Sequence, residues 1–314
     1  MNNARVTDAS ENGCEGIDIS SLKGIAEMTT RSREFVVTKK AGTAQTEVYG
    51  GGGAWVATFT QGARTVALAG TERTFSETTS SAVVISKIHV RLLPAPFTGS
   101  VNRQWLRPAI SDSSPDLLDM SLQYISGAPA LYDSAGLQIA GHAKYGVLLA
   151  NGKRDEGADF NDYLGVTWEY LGRRDAPEPD QLHCLDCSGF VRMLFGYRAG
   201  MNMTLSPAPG QLPRRAFQMY EYGPGVLIQG SGSQVKTLDA IQPGDLVFFD
   251  AEPNEATGQI DHVGVFLGTD TNGKHRFISS RQKANGPTLG DVGGPSILDG
   301  TGYYAKAFRG IRRL

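Results

Sequence analysis

A cysteine stands where a turn passes into a segment with helical periodicity. Cys187 is followed by Ser188 and Gly189, and then by apolar residues at three- and four-residue spacing. These are Phe190, Met193, Leu194 and Tyr197. The spacing predicts a helix that begins near Ser188 and buries one face, with Gly189 removing bulk near the sulfur. A helix start stabilises an anion and lowers a thiol pKa, which predicts a nucleophilic Cys187. The alternative is a small buried hydrophobic residue.

A histidine opens the second of two apolar segments further along the chain. A Pro-Gly-Asp turn at 243–245 precedes the apolar run 246–249, and a polar loop separates this run from His262 and the apolar residues 263–267. These patterns predict two buried strands. A thiol–imidazole pair is the usual means of activating sulfur near neutral pH, so we expect His262 to be the general base for Cys187. Weaker candidates for this role are His142 and His183.

The order of these motifs resembles that of a known family. Asp-Cys-Ser-Gly-Phe-Val begins at Asp186, Pro-Gly-Asp-Leu-Val-Phe-Phe at Pro243, His-Val-Gly-Val-Phe-Leu-Gly at His262 and Phe-Ile at Phe277. In this order they resemble the NlpC/P60 family of papain-like cysteine peptidases, over roughly residues 120 to 314. The resemblance implies an α+β fold in which a helix bundle packs on an antiparallel sheet. It also implies hydrolysis of peptidoglycan stem peptides, typically between D-glutamate and diaminopimelate, with Cys187 as nucleophile and His262 as general base.

The strand after His262 departs from the family pattern. Family members commonly have a third polar residue there, often histidine, and the matching position here is Ser279. A hydroxyl can bond to an imidazole, but it orients the ring less strongly than a charged partner does. We expect Ser279 to orient His262. Other polar residues nearby in sequence are Asp261, His275 and Asp291.

A second departure lies upstream of the cysteine. The family often has a Gly-x-Pro-Tyr-x-Trp-Gly-Gly segment whose tyrosine is thought to help stabilise the oxyanion. In register with it, Trp168 replaces the tyrosine and Tyr170 replaces the tryptophan. The indole N–H can still serve an oxyanion, although both rings could instead line the cleft or the core. Asp186 and Ser188 are helix caps by type, and Asp186 could also bind the free amine of a stem peptide.

Cys184 and Cys187 form a Cys-x-x-Cys pair, which raises the question of zinc or redox chemistry. Zinc would need two further ligands, and Cys14 is distant in sequence, so we expect neither a metal nor a cofactor. A reversible disulfide between the pair remains a hypothesis, and an assay with and without reductant would test it.

The charges exclude one class of partner. The net charge of −2 gives no electrostatic footprint for nucleic-acid binding. Arg192 and Arg198 fall away from the apolar stripe of the predicted helix, so we expect them in solvent. The C-terminal cations Lys306, Arg309, Arg312 and Arg313 are expected along a solvated strand edge, with contact to an anionic wall polymer as the alternative.

The N-terminal third has a different pattern. Five short strands are predicted near 34–38, 54–59, 65–68, 82–85 and 88–93. They indicate a small all-β domain over 31–110, after a polar and flexible segment 1–30 and before a cysteine peptidase domain over 111–314. An amphipathic helix is predicted over 116–125, and a Gly-rich surface loop over 127–162 that could wall the cleft. The β domain could bind glycan or protein, serve as a scaffold or cover the cleft.

The place of action follows from the family resemblance rather than from a targeting segment. No apolar stretch is long enough to span a membrane, and the first residues lack the apolar core of a signal peptide. We expect action at the bacterial cell wall, with the route of delivery open between a signal absent from this chain, lysis, a phage particle and a contractile injection apparatus.

Three functions remain open. The first is a bacteriolytic cysteine endopeptidase. The second is a weakly active or inactive wall-binding component of a phage tail or injection apparatus, which Ser279 and Trp168 favour. The third is an acyltransferase or amidase that uses the same thiol chemistry on another substrate.

Overall fold

The structure is a computed structural model that describes residues 35–251 and 258–314. The predicted flexible segment 1–30 and Cys14 lie outside the described residues. Within the described part, no helix combines the length and the apolar character that crossing a lipid bilayer requires.

The N-terminal strands form one antiparallel sheet in chain order. Its strands are β1 (Val36–Lys39), β2 (Gln45–Tyr49), β3 (Trp55–Thr60), β4 (Thr65–Phe75) and β5 (Val84–Leu92). The last two predicted segments are a single strand, β5. The sequence pattern missed β2, because only Thr46 and Val48 of its five residues are buried and their alternation is too short to be distinctive.

Three short helices and two hairpins connect this sheet to the C-terminal part. The elements are α1 (Arg103–Ser111), α2 (Leu117–Leu122), β6 (Leu131–Tyr132), β7 (Gln138–Ala140), α3 (Phe160–Leu164), β8 (Trp168–Tyr170) and β9 (Arg173–Asp175). The predicted helix over 116–125 corresponds to α2. Asp116 caps α2 by accepting the Asp119 N–H at 2.9 Å.

The C-terminal part is a mixed α and β layer with an antiparallel sheet. A 3₁₀ turn over Pro179–Gln181 precedes α4 (Cys187–Val191), which continues as a π-helix over Arg192–Arg198. The following elements are α5 (Ala216–Tyr222), β10 (Val226–Gly230), β11 (Leu246–Phe249), β12 (His262–Thr269), β13 (His275–Arg281), β14 (Gly286–Thr288), α6 (Tyr303–Ala307) and β15 (Phe308–Arg313). The sheet order is β10-β15-β11-β12-β13-β14.

Strand β11 shows why this sheet is buried on both faces. All four of its residues are inaccessible to solvent. Leu246 and Phe248 pack into the cluster that contains α4, whereas Val247 and Phe249 pack into a second cluster with α6. Successive residues of a strand point to opposite faces, so a continuous apolar run is what a sheet covered on both sides requires.

The N-terminal sheet shares its buried surface with the C-terminal part. Phe75, Val84 and Val90 from β4 and β5 belong to the same buried cluster as Phe190 of α4 and Val265 of β12. A smaller cluster between the N-terminal sheet and α1 contains Val48, Phe59 and Leu106. The all-β segment is therefore packed against the C-terminal part through apolar side chains.

Strand β15 corrects one expectation from the sequence. It lies inside the sheet between β10 and β11, and Arg312 and Arg313 are buried rather than solvated. Arg313 bonds Asp245 at 2.8 Å and reaches Thr60 of β3 at 2.8 Å. The Leu314 carbonyl accepts the N–H of Thr65 at 2.6 Å. The partners of the buried arginines are distant in sequence. The charge pattern alone therefore suggested an exposed edge.

Candidate active site

Cys187 is the first residue of α4, as the sequence predicts. The Asp186 carboxylate accepts the Gly189 N–H at 2.6 Å, which fixes the start of the helix. A Cβ at Gly189 would lie 2.3 Å from the Ala158 carbonyl oxygen. Gly189 therefore makes room for the loop before α3, and not for the sulfur as expected.

Four buried charged side chains support this helix start. Arg214 lies 2.7 Å from the Asp186 carboxylate and donates to the Ser188 hydroxyl at 2.6 Å. Arg192 lies 2.9 Å from Asp159. Burial raises the pKa of Asp186, but the charge and hydrogen bonds of Arg214 outweigh this and lower it below its ordinary value. Asp186 is thus committed to the helix and to Arg214, which argues against its binding a substrate amine.

Arg192 corrects the expectation of a solvated side chain. It is fully buried, and besides Asp159 it bonds the carbonyl oxygens of Thr204 at 2.7 Å and Leu212 at 2.9 Å. Arg198 is half-buried and donates to the Tyr124 hydroxyl at 3.0 Å. Helical periodicity marks the apolar stripe, but it does not reveal charges that are buried with partners from elsewhere in the chain.

The thiol lies at the start of β12. Cys187 Sγ is 3.9 Å from the carbonyl oxygen of Asp261, and the Val263 N–H bonds the sulfur. His262 stands between these two residues in sequence. The helix start and the strand start therefore bring the predicted nucleophile and the predicted base to one place.

The His262 ring is held by its neighbours. Its Nε2 lies 3.0 Å from Ser279 Oγ on β13. The ring also packs against Phe249 and Tyr304, with centroid distances of 5.7 and 5.6 Å. Ser279 is fully buried and is the residue that the sequence proposed as the third partner. Because Ser279 engages Nε2, Nδ1 is the ring nitrogen that remains for the thiol.

The pair rests in its neutral form. Burial raises the pKa of the Cys187 thiol well above its ordinary value, and the carboxylates of Asp186 and Glu156 raise it further. Burial and then the charge of Arg281 lower the pKa of His262 to about 3. At neutral pH a thiol therefore meets a neutral imidazole, because burial outweighs the helix start that suggested a thiolate.

Tyr145 is a cleft residue that the sequence pattern did not single out. It is buried in the Gly-rich loop region, and its hydroxyl donates to Glu156 at 2.7 Å. Burial raises the pKa of Tyr145, and the nearby charges of Cys187 and Asp186 raise it further, so the phenol keeps its proton. A phenol beside the sulfur is a candidate donor to an oxyanion. The sequence pointed to Tyr145 only indirectly, because the Gly-rich loop that contains it was predicted as a possible wall of the cleft.

The cleft that His262 lines has a volume of about 800 Å³, and the buried Cys187 is not among the described residues that line it. Residues that line it include Tyr145, Glu156, His262, Arg281, Tyr303 and Tyr304. The expected wall from the 127–162 region is thus present through Tyr145 and Glu156. This volume lies in the range of ligand-binding clefts in proteins.

Trp168 and Tyr170 lie elsewhere. The Trp168 ring packs edge-on against Phe160 at 4.9 Å and against Tyr197 at 6.0 Å. The Tyr170 hydroxyl accepts a hydrogen bond from Arg192. Neither is among the described residues that line the cleft. We therefore assign the candidate oxyanion role to Tyr145 rather than to the register-matched Trp168.

The other polar candidates have separate partners. His142 is exposed, and His183 packs against Tyr163 at a centroid distance of 5.4 Å. His275 bonds Asp299 at 3.0 Å, and Asp291 lies 3.2 Å from Arg276. The Asp261 side chain accepts the Ala251 N–H. Ser279 is the candidate whose bond to the His262 ring is described.

Cys184 and Cys187 are both free and buried. Cys184 Sγ lies 3.8 Å from the Leu182 carbonyl oxygen, whereas Cys187 contacts Asp261. The described residues contain no cluster of three or more His, Cys, Asp or Glu side chains with the spacing of a metal site. The reversible disulfide stays a prediction.

A comparison with family models bears on this geometry. Residues 165–291 match the NlpC/P60 family. The match confirms the family resemblance and covers α4, Cys187, His262 and Ser279. The NlpC/P60 match begins after Tyr145 and Glu156, so these two cleft residues rest on the structure alone. The comparisons with curated proteins and with solved structures gave no match.

NlpC/P60 proteins are cysteine peptidases of the peptidoglycan-hydrolase type, and the antiparallel sheet with its helices is consistent with their catalytic domain. Within this NlpC/P60 region the cysteine is carried by a helix start and the histidine by a strand start. Ser279 occupies the position of the third polar residue of the motif.

Proposed function

We propose that this protein is a cysteine endopeptidase that hydrolyses peptidoglycan stem peptides. The observation that carries the proposal is the meeting of Cys187 Sγ with the start of β12, where the His262 ring bonds Ser279 at 3.0 Å. The family match supports the same chemistry. The D-glutamyl–diaminopimelate bond is the proposed point of cleavage.

The mechanism is acyl transfer to sulfur. His262 Nδ1 accepts the Cys187 proton as the sulfur attacks the peptide carbonyl, so the thiol is deprotonated during attack rather than beforehand. The Cys187 N–H stabilises the oxyanion, and the Tyr145 hydroxyl joins it once Glu156 binds the substrate ammonium group and the phenol proton turns away from Glu156. Protonated His262 then donates to the leaving amine, and water hydrolyses the thioester. Ser279 keeps the ring in place throughout.

The cleft suits a peptide that carries charges of both signs. Its lining includes the cations Lys153 and Lys283 and the anions Glu156 and Asp261. Stem peptides carry both carboxylate and ammonium groups. The carboxylates can pair with the lysines of the cleft and the ammonium groups with its acidic residues. Glu156, which accepts the Tyr145 hydroxyl, replaces Asp186 as the proposed ligand for an ammonium group.

Mass spectrometry of muropeptides tests the proposal. The wild-type protein is expected to split purified diaminopimelate-type stem peptides, and Cys187→Ala is expected to lower product formation to background. Cys184→Ala is a matched control, since it removes the neighbouring buried thiol but not the one that faces β12. Identical spectra for wild type and Cys187→Ala on several wall types would contradict the proposal.

The second candidate is a wall-binding component with little or no hydrolysis, delivered by a virion or injection apparatus. The low pKa of His262 and its uncharged partner Ser279 favour it. It predicts that the wild-type protein sediments with purified walls while the muropeptide spectrum stays unchanged. We further propose that the protein acts at the bacterial cell wall, whichever route delivers it.

A further inference from the structure

A buried arginine lies directly behind the histidine of the candidate pair. Arg281, the last residue of β13, has an exposed fraction of 2%. Its guanidinium lies 4.2 Å from the centroid of the Tyr304 ring, and the same ring packs against His262. A full positive charge is therefore enclosed one aromatic ring away from the imidazole.

The partners of Arg281 differ from those of four of the other five buried arginines of the described chain; the exception is Arg312, which also bonds only uncharged oxygens. Arg281 Nε donates to Ser279 Oγ at 3.0 Å, Nη1 to the Gly294 carbonyl at 2.7 Å and Nη2 to Ser296 Oγ at 2.6 Å. All three oxygens are uncharged. Among the described residues, an aspartate instead contacts each of Arg192, Arg214, Arg276 and Arg313. The charge of Arg281 is thus left largely uncompensated at short range.

The bond to Ser279 determines where the hydroxyl proton goes. Ser279 Oγ has two partners in the described structure, Arg281 Nε and His262 Nε2. An arginine can only donate, so Nε2 is the one acceptor for the hydroxyl proton. A fully buried hydroxyl without an acceptor is unfavourable, and the imidazole therefore accepts at Nε2.

We propose that Arg281 is a positioning residue that, through Ser279, holds the resting His262 as the neutral tautomer with its proton on Nδ1. The base-competent tautomer carries the same single proton on Nε2, and the Ser279 hydroxyl proton then has no acceptor. Arg281 thus keeps the pair in a latent state from which it must be released. The inference concerns the same Cys187–His262 pair as the proposed function, but its test needs no substrate.

The charges around His262 point the same way. Arg281 on β13 is a cation and opposes protonation of the ring, while the Asp186 carboxylate before α4 favours it. Two further titratable groups lie near the ring: Tyr304 on α6 packs against it, and Asp261 precedes it in the chain. Burial and the charge of Arg281 together outweigh the effect of Asp186, so the ring stays neutral. Whether it can accept the thiol proton then depends on which ring nitrogen carries its single proton.

Nitrogen NMR of ¹⁵N-histidine-labelled protein measures the tautomer directly. The wild-type spectrum at pH 7.5 is expected to show the Nδ1–H form for His262, assigned by comparison with His262→Gln. Arg281→Met is expected to release the ring to the Nε2–H form. It is also expected to raise the pKa of His262 by about one unit, which is a tenfold gain in proton affinity. Ser296→Ala, which removes one bond of Arg281 but leaves its Nε and its charge, is expected to change neither quantity.

Two results would overturn the proposal. One is a wild-type ring in the Nε2–H form. The other is an unchanged tautomer and pKa in folded Arg281→Met. If Arg281→Met does not fold, the wild-type spectrum still decides the tautomer, and Arg281→Lys, which keeps the charge without the Nε–H, is expected to release it. Absence of muropeptide cleavage would leave these spectra unaffected, so the two proposals fail separately.

Discussion

At the scale of single residues, the neutral state of His262 has a thermodynamic consequence. Its pKa is lowered from 6.5 to about 3, first by burial and then by Arg281. Between these values the unfolded chain binds a proton that the native ring does not, so stability is present above pH 6.5 and is lost as the pH falls toward 3. The slope from this one group is at most about 1.4 kcal/mol per pH unit.

Urea unfolding of wild type and His262→Gln across pH 3.5 to 7.5 measures this effect. The variant lacks the titrating ring, so the difference in free energy of unfolding between the two proteins is expected to vary with pH in the acid range and to level off above about 6.5. A difference that stays constant over the whole range would show that the native ring titrates normally.

At this scale, the sequence predicts the position of a reactive side chain well when that residue also opens a regular apolar pattern. The positions of Cys187 and His262 at the start of a helix and of a strand could be predicted because each opens a regular apolar element, whereas their catalytic roles stay predictions. Tyr145 could not, because it lies in an irregular loop whose course depends on the rest of the fold. Arg192 was placed wrongly in solvent, since its partner Asp159 is 33 residues away and no local pattern marks a buried ion pair.

At the scale of elements, the buried charges determine how firmly α4 is held. Arg214 contacts Asp186 and also lies 3.4 Å from Asp159, so it joins the helix cap to the loop before α3. Arg214→Met would leave Asp186 without its cationic partner in a buried place. Breaking a buried pair in this way typically costs about 3–5 kcal/mol.

Chemical denaturation is expected to show that Arg214→Met lowers the free energy of unfolding by about 3–5 kcal/mol. Arg215→Met provides a matched control, because the next residue is an exposed arginine whose loss is expected to change stability by less than about 0.5 kcal/mol. Equal midpoints for the two variants would mean that the network contributes nothing to folding.

Predicted elements also differ from the observed ones for a physical reason. The strands of the C-terminal sheet were visible because burial on both faces demands continuous apolar runs, as in β11. Strand β2 was not, because it buries only alternate residues over a short length. The two segments predicted over 82–85 and 88–93 are one continuous strand, β5. The residues between them continue the strand, and Ser86 among them is buried.

At the scale of the whole molecule, the N-terminal sheet and the C-terminal part are predicted to unfold together. Val84 is fully buried in the cluster that also contains Phe190 and Val265. The backbone bond from Thr65 to the Leu314 carbonyl and the contact of Arg313 with Thr60 join the same two parts. Separating them would expose apolar surface on both sides.

Differential scanning calorimetry is expected to show one cooperative transition, and Val84→Ala is expected to shift all of it to lower temperature. Val36→Ala is the control, since Val36 is largely exposed on β1 and its truncation removes little buried surface. Two transitions, of which Val84→Ala moves only one, would show that the sheet is an independent unit.

The absence of a side chain at Gly189 limits how the cleft can adapt. The Ala158 carbonyl sits where a Cβ would be, so the nucleophile helix and the loop that leads from Glu156 are in direct backbone contact. We expect these two segments to move together, because a side chain or a shift at Gly189 would collide with the Ala158 carbonyl. We therefore expect accommodation of longer or bulkier peptides to depend on other lining residues, which include Tyr303, Gly293 and Gly294. Substitutions at these positions are where substrate range can be altered without disturbing the thiol.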